Sequence, residues 1–360
     1  MSSQNAKTLA ICPIGLGNFI MTTPALQHLS QHLGKAHLHM LALKPGIRQM
    51  AEATGYFNKV FHWDPDNESL SRGLAVLRQF RQEQYRNLVS LFPSPNWKGS
   101  LFSLLLGAKQ RTGFVYPHSR LPSLIQQESL PLDPDAHDTD QNLRLATKIT
   151  GKPPPSSIRP NFPLRPIHPQ EDMLQREGYY VCHPGSSAER EMIYKRLPPA
   201  SFAAFIRKIH REFGLKCLLI GGPEEKTLWD QIRTRVPAEI LLNTPSRSLS
   251  ELAGQVVHAR FFLGNDSGLM HISAALEVRC IAFWGPTDEK RSGPYRYWES
   301  VNGQPLHLIL RRQDLPCTPC WTIKTVGNNP PCPFGDIRCL TRMETDSVWP
   351  RMKNFIASLD

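Results

Sequence analysis

Apolar and polar positions alternate along the first part of the chain in a pattern that predicts a parallel sheet flanked by helices. The apolar run at residues 8–12 predicts a buried strand, and a glycine turn separates it from a helix predicted over residues 19–33. A second apolar run at 37–43 predicts the next strand. Strands that alternate with helices are typical of α/β domains.

A proline-rich stretch interrupts this alternation and predicts a domain boundary. Prolines occur at 153–155 and are spaced from 160 to 169, where they oppose both helix and central strand. The alternation then resumes, with strands predicted at 179–182, 215–220, 240–242, 259–263 and 280–284, and helices at 199–213, 224–235 and 269–276. We therefore predict two Rossmann-like domains, at 1–160 and 161–345, followed by a helix in 346–360.

The segment 264–287 is the most informative about function. It begins Gly-Asn-Asp-Ser-Gly-Leu-Met-His, which predicts a polar turn over 264–268 followed by a helix. The first N–H groups of a helix lack internal partners and attract anions such as a diphosphate. Gly268 lets a ligand approach the backbone, Ser267 caps the helix or donates to phosphate, and Asp266 accepts from a hydroxyl or amine. His271 lies one turn further on, and a capped helix with a packed histidine is the alternative interpretation.

This segment resembles the nucleotide-sugar signature of the family-9 glycosyltransferases, the lipopolysaccharide heptosyltransferase family. Further segments match in the family's order: 15–26, with Gly15 and Gly17 in its glycine turn; 137–145; His-Pro-Gly-Ser-Ser at 183–187 with Lys-Arg-Leu-Pro at 195–198; and Gly-Gly-Pro-Glu-Glu at 221–225. The resemblance implies the GT-B fold, in which an N-terminal acceptor-side domain and a C-terminal nucleotide-sugar-binding domain face a central cleft. It also implies that the helix in 346–360 packs back on the first domain.

The resemblance further implies an inverting, metal-independent transfer of heptose or a related sugar from ADP-heptose to a lipopolysaccharide core acceptor, with no cofactor required. Lys195 and the loop of Ser186 and Ser187 would stabilise the leaving diphosphate. Glu225 or its neighbour Glu224 would bind the ribose. The expected donor-binding residues are Gly15, Gly17, Ser186, Ser187, Lys195, Glu224, Glu225, Asp266, Ser267, Gly268 and His271. A surface lysine and a helix-start carboxylate are the alternatives for Lys195 and Glu225.

Asn18 is a departure from the family pattern, because the glycine turn of the family carries an aspartate assigned to deprotonate the acceptor. An amide cannot accept that proton at neutral pH. Either another group, such as His271 or a carboxylate of the acceptor-side domain, acts as the base, or Asn18 only positions the hydroxyl. The catalytic candidates are therefore Asn18, Lys195 and His271. Two other functions stay open: a catalytically impaired nucleotide-sugar-binding protein and a GT-B-type sugar epimerase.

Bulk properties narrow the class of protein. A chain of 360 residues suits two domains, and a formal net charge of +11 favours anionic partners. No apolar stretch approaches the ~18 residues that cross a bilayer, and no signal sequence is evident. We expect a cytoplasmic protein with peripheral contact at the inner membrane surface. Nucleic acid is not an expected partner, since no nucleic-acid-binding motif is present.

Residues 72–120 carry much of the positive charge. This run favours a phosphorylated acceptor or a lipid headgroup surface, and a merely solvated basic face is the alternative. Only Glu83 opposes the charge there. The basic residues are Arg72, Arg78, Arg81, Arg86, Lys98, Lys109, Arg111 and Arg120.

Two competing motifs are weaker. A dinucleotide fold is not supported, because Ile20 occupies the third glycine position and no acidic residue ends the strand at 37–43. Asp-x-Asp pairs, which hold metal-bound nucleotide sugars in other glycosyltransferases, occur at 64/66, 133/135 and 138/140. Their setting favours turns and helix caps instead.

Four of the eight cysteines cluster in the segment 317–339, as Cys317, Cys320, Cys332 and Cys339. In a cytoplasmic chain this spacing suits a structural zinc, because thiolates hold zinc and disulfides are disfavoured there. A redox-labile pair and free buried thiols are the other interpretations. Many family-9 members carry a similar pattern and some lack it, so a catalytic role is not expected. The other four cysteines fall in apolar strands and are expected only to pack.

Overall fold

The chain is described by a computed structural model over residues 6–12, 15–64, 67–94, 104–116, 127–167, 178–187, 190–242, 246 and 248–359. It forms two compact units: Met1–Leu164 with Thr322–Asn329, and Arg165–Trp321 with Pro330–Asp360. The division thus falls close to the predicted boundary at 160. The grouping of a short late segment with the first unit was not predicted.

The first unit contains a parallel sheet whose described strands have the order β3-β2-β1-β4-β5-β6. The neighbouring interior strands β1 and β2 are buried along their whole length, as their apolar runs predict. Helix α1 packs against α4. The strands are β1 Thr8–Ile11, β2 Leu38–Ala42, β3 Lys59–His62, β4 Asn87–Ser90, β5 Gln110–Val115 and β6 Glu128–Pro131, and the helices are α1 Leu16–Leu33, α2 Pro45–Thr54, α3 Leu70–Glu83 and α4 Asp138–Thr150.

The second unit repeats this plan with a parallel sheet ordered β14-β11-β10-β7-β8-β9 in the described residues. The short strands β12 and β13 form a separate antiparallel pair. The strands are β7 Tyr179–His183, β8 Lys216–Leu219, β9 Leu241–Leu242, β10 Phe262–Asn265, β11 Cys280–Phe283, β12 Ser300–Val301, β13 Gln304–Pro305 and β14 Leu308–Leu310. The helices are α5 Pro199–Phe213, α6 Lys226–Arg233, α7 Leu249–Val257, α8 Gly268–Ala275, α9 Glu289–Ser292, α10 Arg338–Thr341 and α11 Thr345–Ala357.

The bounds expected for the strand at 259–263 and for the turn at 264–268 were wrong. Strand β10 begins at Phe262 and runs through Gly264 and Asn265. Gly264 pairs with His183 of the neighbouring strand, and a Cβ atom on it would lie 2.8 Å from the carbonyl oxygen of His183. The glycine therefore belongs to the strand, where it permits close pairing of two backbones.

The core of the second unit lies between its sheet and the packed helices. Phe202 and Phe205 of α5 contact Phe283 of β11, with ring centroids 5.5 and 4.9 Å apart. The C-terminal helix α11 packs on α5 and β14 of the same unit. The expected packing of this helix on the first domain stays a prediction.

Cysteines in the strands pack as expected. Cys12, Cys182, Cys217 and Cys280 are all buried at about 1% exposure or less. Burial raises the pKa of the Cys12 thiol to about 12, although a hydrogen bond with Thr22 opposes the shift. These four side chains are therefore apolar core groups.

Candidate functional site

The order of strands in the second unit fixes where a ligand is expected. Strands β7 and β10 are neighbours at its centre, and the sheet order runs outward from them in opposite directions. In open parallel sheets, ligands bind beyond the carboxyl ends of the strands at such a switch point. His183 ends β7 and Asn265 ends β10. The residues after these two strands form the candidate site.

Helix α8 starts directly after β10 with its backbone N–H groups at this end of the sheet. Ser267 is its N-cap, and the Oγ atom of Ser267 accepts a hydrogen bond from the Met270 amide at 3.4 Å. Gly268 is the first residue of the helix. The uncapped amides and the helix dipole make this turn attractive to an anion.

An ion pair between a partly buried lysine and a buried aspartate lies beside the same turn. Lys195 Nζ lies 2.8 Å from Asp266 Oδ2, and the Thr287 hydroxyl donates to the same oxygen at 2.6 Å. Burial alone would raise the pKa of Asp266. The charge and hydrogen bond of Lys195, with smaller contributions from Thr287 and His271, instead hold this pKa below 3.8. Lys195 is thus fixed in place by an ionised carboxylate while its side chain stays 16% exposed.

Asn265 joins three segments of the site. Its Oδ1 atom accepts from the Leu197 amide at 3.0 Å, and its Nδ2 group donates to the carbonyl oxygens of Pro184 at 2.8 Å and Gly185 at 3.2 Å. The side chain is fully buried. A single amide therefore holds the loop after β7 and the residues after Lys195 against the end of β10.

The serine loop at 186–187 is held by hydrogen bonds from Ser186 to residues shortly after it in the chain. Arg196 Nε donates to the Ser186 hydroxyl at 3.1 Å, its Nη2 group contacts the Ser186 carbonyl, and the hydroxyl donates to the Met192 carbonyl at 2.8 Å. Ser186 is buried and Ser187 is exposed. The hydroxyl of Ser186 is thus occupied by the loop itself.

Two adjacent glutamates differ in environment. The Glu225 carboxylate is buried and contacts His183 Nε2 at 2.9 and 3.0 Å, while Oε2 accepts from the Gly222 amide at 3.2 Å. Glu224 is exposed, and its carboxylate lies over Gly222. The ribose contact expected of Glu225 or Glu224 stays a prediction.

The remaining predicted site residues fall in two places. His271 is buried in the first turns of α8, and its charge contributes to lowering the pKa of Asp266. Gly15, Gly17 and Asn18 lie in the first unit, where Gly15 is the N-cap of α1 and Asn18 is in its first turn. Asn18 Nδ2 would lie 3.3 Å from a Cβ atom on Gly15.

The clustered cysteines line one cavity of about 20 Å³ in the second unit. Burial, and then the neighbouring Cys320, Cys332 and Cys317, raise the pKa of Cys339 to about 11. Within the described part of the chain, no three His, Cys, Asp or Glu side chains form a group that could hold a metal ion as placed. The four thiols are close enough to affect one another, and a structural zinc stays a prediction.

The described residues of the basic run at 72–120 lie in the first unit. Arg81, Arg86 and Lys109 line a cavity of about 900 Å³ in the first unit, whereas Lys98 and Arg120 lie outside the described residues. Glu83, expected to oppose this run, instead contacts Lys7 and Lys59.

The Asp-x-Asp pairs lie in turns and at a helix start. Asp133 accepts from the Asp135 amide at 3.0 Å, and Asp138 and Asp140 occupy the first turn of α4, which confirms the turn and cap interpretation for these two pairs. Of the first pair, Asp66 lies outside the described residues.

Sequence reasoning missed several residues that hold this site together. No role was given to four residues that all stand inside the quoted segments: His183, Arg196, Asn265 and Thr287. A histidine or asparagine at the carboxyl end of a central strand was the available signal. Thr287 offered no such signal, because its contact with Asp266 spans 21 residues.

Two doubly wound units, with an anion-attracting helix start beside a partly buried lysine at one switch point, define the GT-B class of nucleotide-sugar proteins. The fold is shared by solved structures of low sequence identity. The Escherichia coli ADP-heptose lipopolysaccharide heptosyltransferase II matches with a TM-score of 0.69 and 16% identity, covering 98% of this chain and 99% of that one. A Veillonella parvula family-9 glycosyltransferase matches with a TM-score of 0.72 and 18% identity, covering 99% of both chains.

The family follows from the sequence itself. The glycosyltransferase family 9 (heptosyltransferase) model matches residues 74–313. This chain therefore belongs to glycosyltransferase family 9. It is 30% identical over 109 residues to the Campylobacter jejuni lipooligosaccharide heptosyltransferase 2, a match that spans only 30% of either chain. It is 22% identical over 290 residues to an E. coli lipopolysaccharide heptosyltransferase 3, covering 76% of this chain and 81% of that protein.

Proposed function

We propose that this chain is an inverting, metal-independent transferase that moves heptose or a related sugar from an ADP-sugar to a lipopolysaccharide core acceptor. The observation that carries the proposal is the meeting of the α8 amides with the Lys195–Asp266 pair at the switch point of the second sheet. Relatives support the choice of donor, because solved structures of the E. coli heptosyltransferase WaaC include one with ADP and one with an ADP-heptose analogue.

The proposed transfer step depends on stabilising the negative charge that develops on the leaving group. The acceptor hydroxyl attacks the anomeric carbon while the bond from that carbon to the diphosphate breaks, so negative charge grows on the leaving ADP. Lys195 and the amides of α8 are fixed before this charge develops, which is the condition for effective electrostatic stabilisation. Asp266 holds Lys195 in place, and the remaining ammonium protons are directed to the diphosphate.

In this proposal Asn18 of the first unit does not take the acceptor proton itself. Asn18 binds and orients the hydroxyl at the start of α1, and a second group, His271 or an acceptor-side carboxylate, takes the proton. That group replaces the aspartate of the family pattern, and general base catalysis is worth about 10²- to 10⁴-fold, so a less effective base slows transfer without abolishing it. The basic residues Arg81, Arg86 and Lys109 would meet a phosphorylated acceptor or the headgroups of the inner membrane. Among the described helices, none is long and apolar enough to span a membrane.

The test is transfer from ADP-heptose to heptose-deficient lipopolysaccharide, followed by mass spectrometry. We expect slow transfer by the native chain, a loss of roughly 10²- to 10³-fold in Lys195→Ala, and a gain of at least about tenfold in Asn18→Asp. Lys353→Ala is the control, because it removes a surface lysine paired with Glu212 and should leave transfer unchanged.

Other outcomes identify the alternatives. Transfer by Asn18→Asp alone would make the native chain a nucleotide-sugar-binding protein, the function that Asn18 favours. Isomerisation of the donor without acceptor would indicate an epimerase. If neither native chain nor Asn18→Asp alters the donor, the proposed donor or acceptor is wrong.

A further inference from the structure

The cavity of about 900 Å³ in the first unit is a groove with a positively charged rim. Arg81, Arg86 and Lys109 line it, and all three residues are exposed. Its floor is apolar, because Phe80 and Tyr85 also line it and are buried. An apolar floor with a few convergent polar groups is typical of a ligand site. We call this cavity the basic groove.

The basic groove lies at the amino-terminal edge of the first sheet. Arg86 immediately precedes β4, and Lys109 immediately precedes β5, the parallel neighbour of β4. Gln127, which also lines the groove, immediately precedes β6. Ligands at the switch point of such a sheet bind beyond the opposite, carboxyl ends of the strands. The lengths of β4 and β5 separate the two edges by about 13–20 Å. The groove is therefore distinct from the switch point at which Asn18 is proposed to bind the acceptor hydroxyl.

The protein does not neutralise the cations of the groove. Within the described part of the chain, none of Arg81, Arg86 and Lys109 forms an ion pair with a carboxylate. Glu83, at the end of α3, contacts Lys7 and Lys59 instead. The acidic residue nearest in sequence to Arg81 and Arg86 is thus already engaged by other cations.

Glu128 lines the groove but is also engaged by neighbouring side chains. Its carboxylate accepts a hydrogen bond from Gln110 Nε2 and lies 3.8 Å from Lys148 Nζ. The described lining therefore has three cations and one carboxylate that is already paired. Cations that converge on one groove repel one another, and a bound anion would remove that repulsion.

A turn at the end of α3 adds an uncharged side chain to the groove. Gln84 follows α3 with φ 53°, in the left-handed region that glycine usually occupies at the end of a helix. A glycine would adopt this conformation without strain. The glutamine that stands there instead lines the groove together with Arg81 and Arg86. Its amide can donate a hydrogen bond to an anion that the guanidinium groups attract.

We propose that the basic groove binds a phosphate group. The two guanidinium groups match the oxygens of a phosphate with paired donors, and the ammonium group of Lys109 adds a third positive charge. The proposal does not depend on sugar transfer, because the groove lies at the edge of the sheet opposite Asn18. A lipid headgroup and a soluble phosphorylated ligand present the same phosphate chemistry to the groove, and the experiment distinguishes these two sources.

The test compares two variants that lose the same charge at different places. The groove variant combines Arg81→Gln, Arg86→Gln and Lys109→Gln. The control variant alters three exposed residues elsewhere and combines Lys152→Gln, Arg165→Gln and Lys324→Gln. Both should keep the urea midpoint of the native chain. If the groove variant is less stable, the single variants Arg86→Gln and Lys109→Gln are compared with Lys324→Gln in the same binding measurements.

Inorganic pyrophosphate, titrated by calorimetry, is the soluble probe. We expect the native chain and the control variant to bind it at two sites, the groove and the start of α8. The groove variant should bind at least about tenfold more weakly at one of them. Lys195→Ala should weaken the other site, so a failure of the proposed donor site is distinguishable from a failure of the groove.

Vesicles of phosphatidylglycerol in phosphatidylcholine are the lipid probe, and cosedimentation measures their binding. If the phosphate belongs to a headgroup, the groove variant should bind the vesicles at least about tenfold more weakly than the control variant. If it belongs to a soluble ligand, the two variants should bind vesicles equally and differ only for pyrophosphate. Equal binding of both probes by the two variants would overturn the proposal, and the groove would then be a solvated basic face.

Discussion

The two sheets share one strand order and differ in what stands at their switch points. In the second unit, charged and polar side chains from four segments meet at the ends of β7 and β10. In the first unit, α1 begins at Leu16 after its N-cap Gly15, and its first turn carries no acidic residue. The hydroxyls of Thr22 and Thr23 in α1 donate to carbonyls of their own helix. The scaffold therefore supplies a comparable location in both units, and among the described residues it is in the second unit that charged and polar side chains converge there.

A buried asparagine nevertheless has the same structural role in each of the two units. Asn142 of α4 accepts from the Phe92 amide at 2.8 Å and donates to the carbonyls of Phe92 at 3.1 Å and Asp138 at 2.9 Å. Asn265 makes the matching set of three bonds in the second unit. Each buried amide joins the loop after a strand to a separate segment. The pair allows the structural role of such an asparagine to be separated from its effect on a ligand.

Replacing these two asparagines should give the largest effects on stability. Asn142→Ala and Asn265→Ala each remove three hydrogen bonds to backbone groups, at about 1–3 kcal/mol for each group that is left dry and without another partner. We expect both variants to lose about 2–5 kcal/mol of unfolding free energy, measured as a shift in the urea midpoint. Only Asn265→Ala should also lose affinity for ADP in calorimetry, because only Asn265 shapes the loops at the candidate donor site.

The exposed Asn354 of α11 is the control, and Asn354→Ala should change neither quantity. Equal losses of ADP affinity in the two buried variants would show that the comparison is wrong. In that case general destabilisation, rather than loop geometry, would control binding.

Much of the scaffold was predictable from the sequence because its signal is local. The apolar runs at 8–12, 179–182 and 280–284 each gave a strand within one residue of the observed bounds, and α5 matches its predicted range. Strand β10 was misplaced because its partner decides where it begins and ends. Gly264 is a turn residue by composition, and pairing with His183 keeps it in the strand.

The site was only partly predictable, for a related reason. Lys195, Asp266 and Ser267 were expected at a diphosphate because they stand inside motifs. Which neighbour each contacts depends on loops that are far apart in sequence, such as Ser267 and His183, separated by 84 residues. The sequence could not distinguish Glu224 from Glu225, since only the fold buries one and exposes the other.

The glycines around Glu225 offer a test of intermediate size. In Gly185→Ala the new methyl group overlaps the buried carboxylate, and we expect a loss of about 1–3 kcal/mol in unfolding free energy. Gly222→Ala is the matched control. Its Cβ atom would also meet a carboxylate, at 2.2 Å, but that of the exposed Glu224, which can swing into solvent at a cost within about 0.5 kcal/mol. Urea midpoints measure both.

A double variant makes this test specific. In a Glu225→Ala background the carboxylate is gone, so Gly185→Ala should add little further loss. If the two losses simply add, the overlap with Glu225 is not the cause, and the enclosure of that carboxylate is weaker than the distances indicate.

The smallest expected effect concerns ion pairs at the amino-terminal ends of strands in the first sheet. Glu83 contacts Lys7 before β1 and Lys59 at the start of β3, and hydrogen bonds from Lys59 and Lys7 lower the pKa of Glu83 from 4.5 to about 2. A lowered carboxylate pKa adds stability that is complete above pH 4.5 and is lost as the pH falls towards 2. Both lysines are about half exposed, so solvent reduces the contribution to roughly 1 kcal/mol at most.

Glu83→Gln should therefore lower the urea midpoint at pH 6, and its difference from the native midpoint should shrink below pH 4.5 and close as the pH approaches 2. The exposed Glu239→Gln is the control and should follow the native chain at every pH. ADP affinity at pH 7 should be unchanged in both, because Glu83 lies in the unit without the candidate donor site. A parallel fall of the native and Glu83→Gln midpoints with acid would mean that these ion pairs add no net stability. The acid sensitivity would then arise elsewhere, with the buried Asp266 of the second unit as the next carboxylate to replace.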